Sequence, residues 1–226
     1  MLSDRSTPSP PTYDLGVSIE TRRKLLDGAL LALREHGVAG VSARSIAAAA
    51  GVNQALVFYH FGSVDELLSA ACITVSEERF TNYGQRLAEA TTLRELLDLS
   101  RRLHEEETAE GNISVLAQML AGARTNPRLA EATSQALKLW TSPVEATLER
   151  LLATSPLRDV LDVPSLARAA TATLIGLELY QGVDPAGADS AFSTFEQVAV
   201  LVEVADNLSP MAKRALRTIL NRRKPR

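Results

Sequence analysis

Gly51-Val52-Asn53-Gln54-Ala55-Leu56-Val57-Phe58-Tyr59-His60-Phe61-Gly62 opens on a turn signal and then sets three aromatic rings and a histidine side by side, from Phe58 to Phe61. On a helix, four consecutive residues point in four directions, so they cannot all share one core. Upstream, Ser42 can cap a short helix whose apolar stripe is Ile46, Ala47 and Ala50. Gly51, free to take positive φ, stops it. Asn53 can cap a second short helix through about His60. Val52 can plug the angle between the two. A short helix, a turn at Ala50-Gly51-Val52 and a second short helix make a helix-turn-helix, an arrangement that can lay its second helix in a DNA major groove.

The pattern stays helical on both sides. From Ser18, the residues Leu26, Ala29, Leu30 and Leu33 fall at i, i+3, i+4, i+7, and Gly37 stops that helix. After the quoted stretch, Ser63 can cap a long helix with Asp65 and Glu66 in its first turn, where the dipole favours acids, running through Leu67, Leu68, Ala71 and Val75 towards Tyr83. Further helical segments fall near 93–107, 113–123, 127–153, 164–182, 189–207 and 209–222. They are separated by Gly111, Pro127, Ser155-Pro156, Pro164, Asp184-Pro185-Ala186-Gly187 and Ser209-Pro210. Pro143 predicts a kink or break inside 127–153. The apolar run 198–202 has no strand partner and reads as a helix that is apolar nearly all round. The fold class is therefore all-α, with about nine or ten helices.

Composition agrees. Of 226 residues, 46% are hydrophobic and only 4% aromatic, with abundant Ala and Leu. No run reaches membrane-spanning length, and no signal-peptide stretch opens the chain. Cys72 is the lone cysteine, so no intramolecular disulfide forms, and its expected role is buried packing. A cytoplasmic location without a membrane partner follows. The net charge of −3 is segregated. Residues 18–64 carry five basic side chains against three acidic ones. Glu105-Glu106-Glu107 with Glu110 makes the centre acidic and reads as a solvated face. Beyond Asp206 only basic residues carry charge, among them Lys213, Arg214 and Arg217.

The run Ser42, Arg44, Ile46-Ala47, Ala50-Gly51-Val52, Phe58-Tyr59-His60-Phe61, Ser63 and Glu66-Leu67-Leu68, with the preceding helix from Thr21 to Gly37, resembles the TetR family of transcriptional regulators. The resemblance is specific over about residues 18–70, and beyond that only the architecture matches. It implies a homodimeric repressor that binds a palindromic double-stranded operator and responds to a small-molecule effector. It divides the chain into a disordered arm (1–17), a helix-turn-helix domain (18–62), a ligand-binding and dimerisation domain (63–222) and a basic tail (223–226). By the same carry-over, Val57 and Phe61 face the three-helix core, and Phe58, Tyr59 and His60 face DNA. Arg44, Gln54, Ala55 and Leu56 approach base edges or phosphates, with the caps Ser42 and Asn53 beside them. Arg can pair with guanine, Gln with adenine, and apolar side chains can touch a thymine methyl. The family usually has Tyr at position 58 and Lys at position 64, both reaching phosphates. Phe58 and Val64 cannot, which predicts weaker affinity and a flatter salt slope.

The resemblance further implies that the penultimate helices pair with their copies. The dimer candidates are Leu166, Ala170, Leu174 and Leu177 on one helix, with Ala169, Thr173 and Gly176 permitting close approach, and Phe192, Phe195, Ala199 and Val202 on the next. The central helices would form the effector pocket, with His104, Met119, Trp140 and Tyr180 as lining candidates and Arg124 or Glu178 as polar contacts. No catalytic, metal or cofactor site is expected: the three histidines are far apart, and no phosphate loop, paired-His motif or nucleophile elbow occurs. A helical ligand-binding or adaptor protein with weak or vestigial DNA binding is the alternative that the missing Tyr and Lys leave open.

Overall fold

The computed structural model describes residues 15–155, 157–158, 161–206 and 208–222. The tail at 223–226 and positions 1–14 of the expected disordered arm lie outside them, while positions 15–17 of that arm form the first turn of a helix. The described chain is all-α, with ten helices: α1 (Leu15–Gly40), α2 (Ala43–Ala50), α3 (Ala55–Phe61), α4 (Val64–Glu89), α5 (Leu93–Ala109), α6 (Asn112–Ala123), α7 (Pro127–Leu151), α8 (Val163–Gln181), α9 (Pro185–Asp206) and α10 (Pro210–Arg222).

The local chemistry of the first four helices follows the sequence closely. Ser42 and Ser45 form a reciprocal capping box at the start of α2. Gly51 ends α2 at φ 64°, and its N–H and that of Val52 close back on the Ala47 carbonyl. The Asn53 side chain accepts the Ala55 N–H at 2.8 Å and so starts α3. Gly62 turns the chain at φ 78°, and α4 leaves at 65° to α3, capped by Ser63. At Gly37 the backbone leaves helical values (φ 66°, ψ 169°), and one more turn follows before the chain reaches α2.

Other features of the helices differ from expectation. Helix α4 runs six residues past Tyr83, because Tyr83 and Leu87 continue its buried stripe. Helix α9 begins at Pro185 rather than at 189. Asp184 accepts the Gly187 N–H at 3.0 Å and Pro185 takes the first turn, so a segment read as a separator is a helix start. Helix α7 runs unbroken through Pro143. Proline removes one helical hydrogen bond, and the long packing face of α7 on α4 supports the rest. The run 198–202 lies inside α9.

Two hydrophobic clusters fill the body. The first joins α1–α4 to α6, α7 and Ile175 of α8, with Leu25, Leu33, Ile46, Val57, Leu67 and Met119 at its centre. The second lies between the C-terminal half of α4, α5, the end of α7 and the start of α8. Trp140 borders both.

Candidate nucleic-acid interface and central cavity

Helices α2 and α3 present two unlike sides. Ala43, Ile46, Ala47 and Val57 are buried. Gln54, Ala55, Phe58 and Tyr59 are exposed together on α3, with Ser42 and Arg44 exposed on α2 and Asn53 between them. Phe58 is 50% and Tyr59 70% exposed, so neither ring has turned inward. His60 is half-buried and meets Tyr59 edge-on, with ring centroids 5.0 Å apart. Phe61 is half-buried against the core and capped from outside by the Arg22 guanidinium, 4.9 Å from its centroid. Leu56 departs from the outward set: it is half-buried against the core, because the turn at Gly51 tilts the first turn of α3 inward beside Val52. Val64 is half-buried there as well.

Behind these helices, α4–α8 enclose a cavity of about 90 Å³ beside a second of about 150 Å³. His104 and Trp140 line the first. Met119 is fully buried in the core, and Arg124 and Tyr180 are exposed and line neither cavity. Glu178 stands behind His104 and accepts a hydrogen bond from Thr108 at 2.7 Å. Burial holds His104 below the usual histidine range, against weaker upward pulls from Glu178 and Glu105. Its ring packs on Phe192, centroids 5.9 Å apart, and its Nδ1 has no hydrogen-bond partner.

The polar wall of the first cavity corrects the reading of the acidic run. Glu105 and Glu106 are exposed, the latter paired with Arg86, but Glu107 is only 1% exposed. Three successive helical residues span some 200°, and Glu107 continues the buried stripe of Leu96, Leu99 and Leu103. Its carboxylate accepts hydrogen bonds from the Tyr83 hydroxyl and from Asn112 Nδ2 (2.9 Å), with Arg79 3.5 Å away. A buried carboxylate requires such partners. Tyr83 is pushed up to about 12, chiefly by its burial and next by its bond to Glu107, so it stays protonated. Asn112 in turn accepts from Arg34 of α1 at 2.7 Å. The leucine periodicity before Glu107 was the sequence signal for this site.

The sequence model of bacterial regulatory proteins of the tetR family matches residues 25–71, which hold most of α1, all of α2 and α3, and the start of α4. Over these residues the chain carries a helix-turn-helix sequence of the tetR family. Over 125 residues it is 26% identical to an uncharacterized HTH-type transcriptional regulator of Mycobacterium tuberculosis, covering 55% of this chain and 64%, just under two thirds, of that one. It is 24% identical over 172 residues to the HTH-type nicotine-responsive transcriptional repressor HdnoR of Paenarthrobacter nicotinovorans, covering 74% of this chain and 87% of that one. A solved structure from Rhodococcus sp., assigned to the TetR family, superposes with a TM-score of 0.67 at 23% identity, over 83% of this chain and all of that one.

Helix α8 places its leucines differently from the sequence reading. Leu166, Ala170 and Leu174 turn inward and line the second cavity, and Leu177 and Phe192 are buried within the chain. Thr173 is exposed. The side chains of Phe195, Ala199 and Val202 lie outside the described ones. The outward face of α8 carries Ala169, Ala172, Thr173, Gly176 and Leu179 at helical spacing, among them the small residues expected to permit close approach. Both faces of α8 are apolar, so its periodicity alone could not say which one meets the cavity.

Proposed function

We propose that this TetR-family regulator is a repressor that binds a palindromic operator as a homodimer in the cytoplasm and is released by a small-molecule effector held in the central cavity. The observation that carries the reading is the exposure of Phe58 and Tyr59 beside Gln54, Ala55 and Arg44 on a helix-turn-helix whose other side is fully packed. Large exposed apolar rings next to donors and acceptors suit a groove of base edges and methyls. Residues 18–62 would read DNA and 63–222 would bind effector and partner. An effector is further supported by the nicotine-responsive relative, a repressor that answers to a small molecule.

The partner surface would be the outward face of α8, where small residues from Ala169 to Gly176 allow close approach between copies. Gly176 has open space around its Cα, so Gly176→Arg fits the monomer yet blocks such a contact. Sedimentation should show a dimer for the parent chain and a monomer of unchanged helicity for the variant.

Fluorescence anisotropy against the DNA upstream of its own gene, at low and moderate salt, tests the whole reading. Binding should fall by about 10- to 100-fold in Arg44→Ala, the worth of one base-reading pair at about 1–3 kcal/mol. Binding at neither salt would favour the second reading, a helical ligand-binding protein with vestigial DNA contacts, which the absent hydroxyl at Phe58 and absent ammonium at Val64 support.

A further inference from the structure

If the central cavities hold the effector, as proposed above, the chemistry of its head group follows from the hydrogens their walls have already spent. The cavities share Ser100, Val144, Thr171 and Leu174, so they adjoin across these side chains and present two unlike ends. At the far end Leu93, Leu96, Leu148 and Leu161 supply an uncharged wall. At the near end stand Glu107, Asn112 and His104, beside the rings of Tyr83 and Trp140.

Every side-chain donor in the near wall except the His104 imidazole is already engaged. Tyr83 donates to Glu107, and both hydrogens of Asn112 Nδ2 go to Glu107 and Glu110. Ser100 donates to the Leu96 carbonyl, Thr171 to the Ala167 carbonyl, and the Trp140 indole to Ser76. Pro143, in the same wall, has no N–H to give the Leu139 carbonyl. Acceptor capacity is left over: lone pairs on Glu107 and the hydroxyls, and His104 Nδ1. Among the described residues His104 Nδ1 is one of two buried side-chain atoms without a partner; the other, Ser69 Oγ, lines neither cavity. His104 is itself more than nine-tenths buried. A buried neutral imidazole nitrogen left unpaired is costly, and its tautomer is free to turn the lone pair towards a ligand.

We propose that the effector is an amphiphile with a protonated amine head and an apolar body, its head between Glu107 and His104 and its body among the leucines of the second cavity. An ammonium carries three donors and no acceptor, so it can meet the carboxylate and the imidazole together. The Trp140 ring in the same wall favours a cation at that end, and the Tyr83 ring already carries the Arg86 guanidinium 5.5 Å from its centroid. A hydroxyl offers one donor. An anionic head meets a buried carboxylate, with the His104 imidazole as the one side chain of the near wall able to offer it an N–H. Arg79 and Arg34 do not serve such an anion: Arg79 is engaged by Glu107 and Glu110, and Arg34 stands behind Asn112.

Calorimetric titration of the full chain with decylamine, decan-1-ol and decanoate, each below its micellar concentration, tests this. Decylamine should bind at least about tenfold more tightly than decanoate, the worth of one charge-assisted hydrogen bond. Glu107→Gln should weaken decylamine about tenfold and leave decan-1-ol within about threefold. Leu174→Trp, which fills the junction of the cavities, should abolish binding of all three. Decanoate binding as tightly as decylamine, or a decylamine affinity indifferent to Glu107→Gln, overturns the amine head while the cavity reading stands. Binding of none of the three probes, or binding that survives Leu174→Trp, overturns both. The head-group comparison uses the parent chain and so does not depend on either variant folding.

Discussion

Gly28 shows how much one missing methyl can decide. It sits buried on α1, and a Cβ there would lie 2.8 Å from the Ala50 Cβ and 2.9 Å from both the Ala50 nitrogen and the Ile46 carbonyl oxygen. The last two are backbone atoms and cannot swing aside. Gly28→Ala gains about 1 kcal/mol of helix propensity but incurs an overpacking cost of about 1–3 kcal/mol. We expect the thermal midpoint to fall by several degrees, measured by circular dichroism; a rise would show that α2 can shift on α1 without penalty. His104 gives a pH signature. Burial lowers its folded pKa below the unfolded value, so the unfolded state binds the proton first as pH falls. Its contribution to stability is therefore largest above the unfolded pKa of about 6.5 and declines as pH drops towards the folded value. In urea unfolding at about pH 7 and about pH 5.5, His104→Gln should lose less stability on acidification than the parent chain. An equal loss in both proteins would place the acid sensitivity elsewhere.

Helices α3 and α4 carry the clearest link between local rules and function. Phe58 is exposed and Val64 is half-buried, so restoring the family's usual groups at the two positions should act differently. Phe58→Tyr adds a neutral donor on an open face. It should tighten operator binding by a few-fold with no change in salt slope, because a hydroxyl releases no counterion. Val64→Lys adds a cation whose stem can stay over the core while its ammonium reaches outward. It should tighten binding and steepen the log–log salt slope by about 0.9, at a stability cost of about 1 kcal/mol from lost packing and a cation at a helix start. Anisotropy across a salt series and urea unfolding measure both effects, and an unchanged slope for Val64→Lys would mean that α4 does not approach the backbone. These helices were legible in sequence because caps and glycines act locally: Ser42, Gly51, Asn53 and Ser63 each do in the structure what their residue type dictates. Helices α5 and α8 were less legible. Glu107 and Leu174 owe their positions to partners some 24 and 30 residues away, Tyr83 on α4 and the α7 wall near Val144, which no local pattern reveals.

At the scale of the whole molecule, the question is how an occupied cavity could be felt by α3. The helix-turn-helix is joined to the body by more than the α4 backbone. Arg34 of α1 donates to Asn112, which in turn holds Glu107 in the cavity wall. The Val38 N–H of the turn after Gly37 donates to Gln118 of α6 at 3.3 Å. Asn126, at the start of α7, donates to Asp65 at the start of α4 at 2.7 Å. The first of these bridges has one end in the cavity and the other on the helix that packs α2. A ligand head that rearranges Glu107 and Asn112 therefore changes what Arg34 is bonded to. Effector and operator affinities are typically coupled by about 1–3 kcal/mol, or 5- to 150-fold, and the factor must be the same measured from either side. Arg34→Ala cuts the bridge without touching the cavity lining. It should leave the affinity of decylamine for the free protein within a few-fold but reduce the ratio of its affinities without and with operator by about 0.5–2 kcal/mol. Titrating decylamine with and without DNA, and DNA with and without decylamine, gives that ratio twice. Agreement of the two values with an undiminished ratio would remove Arg34 from the route and leave the α6 and α7 bridges to carry the coupling.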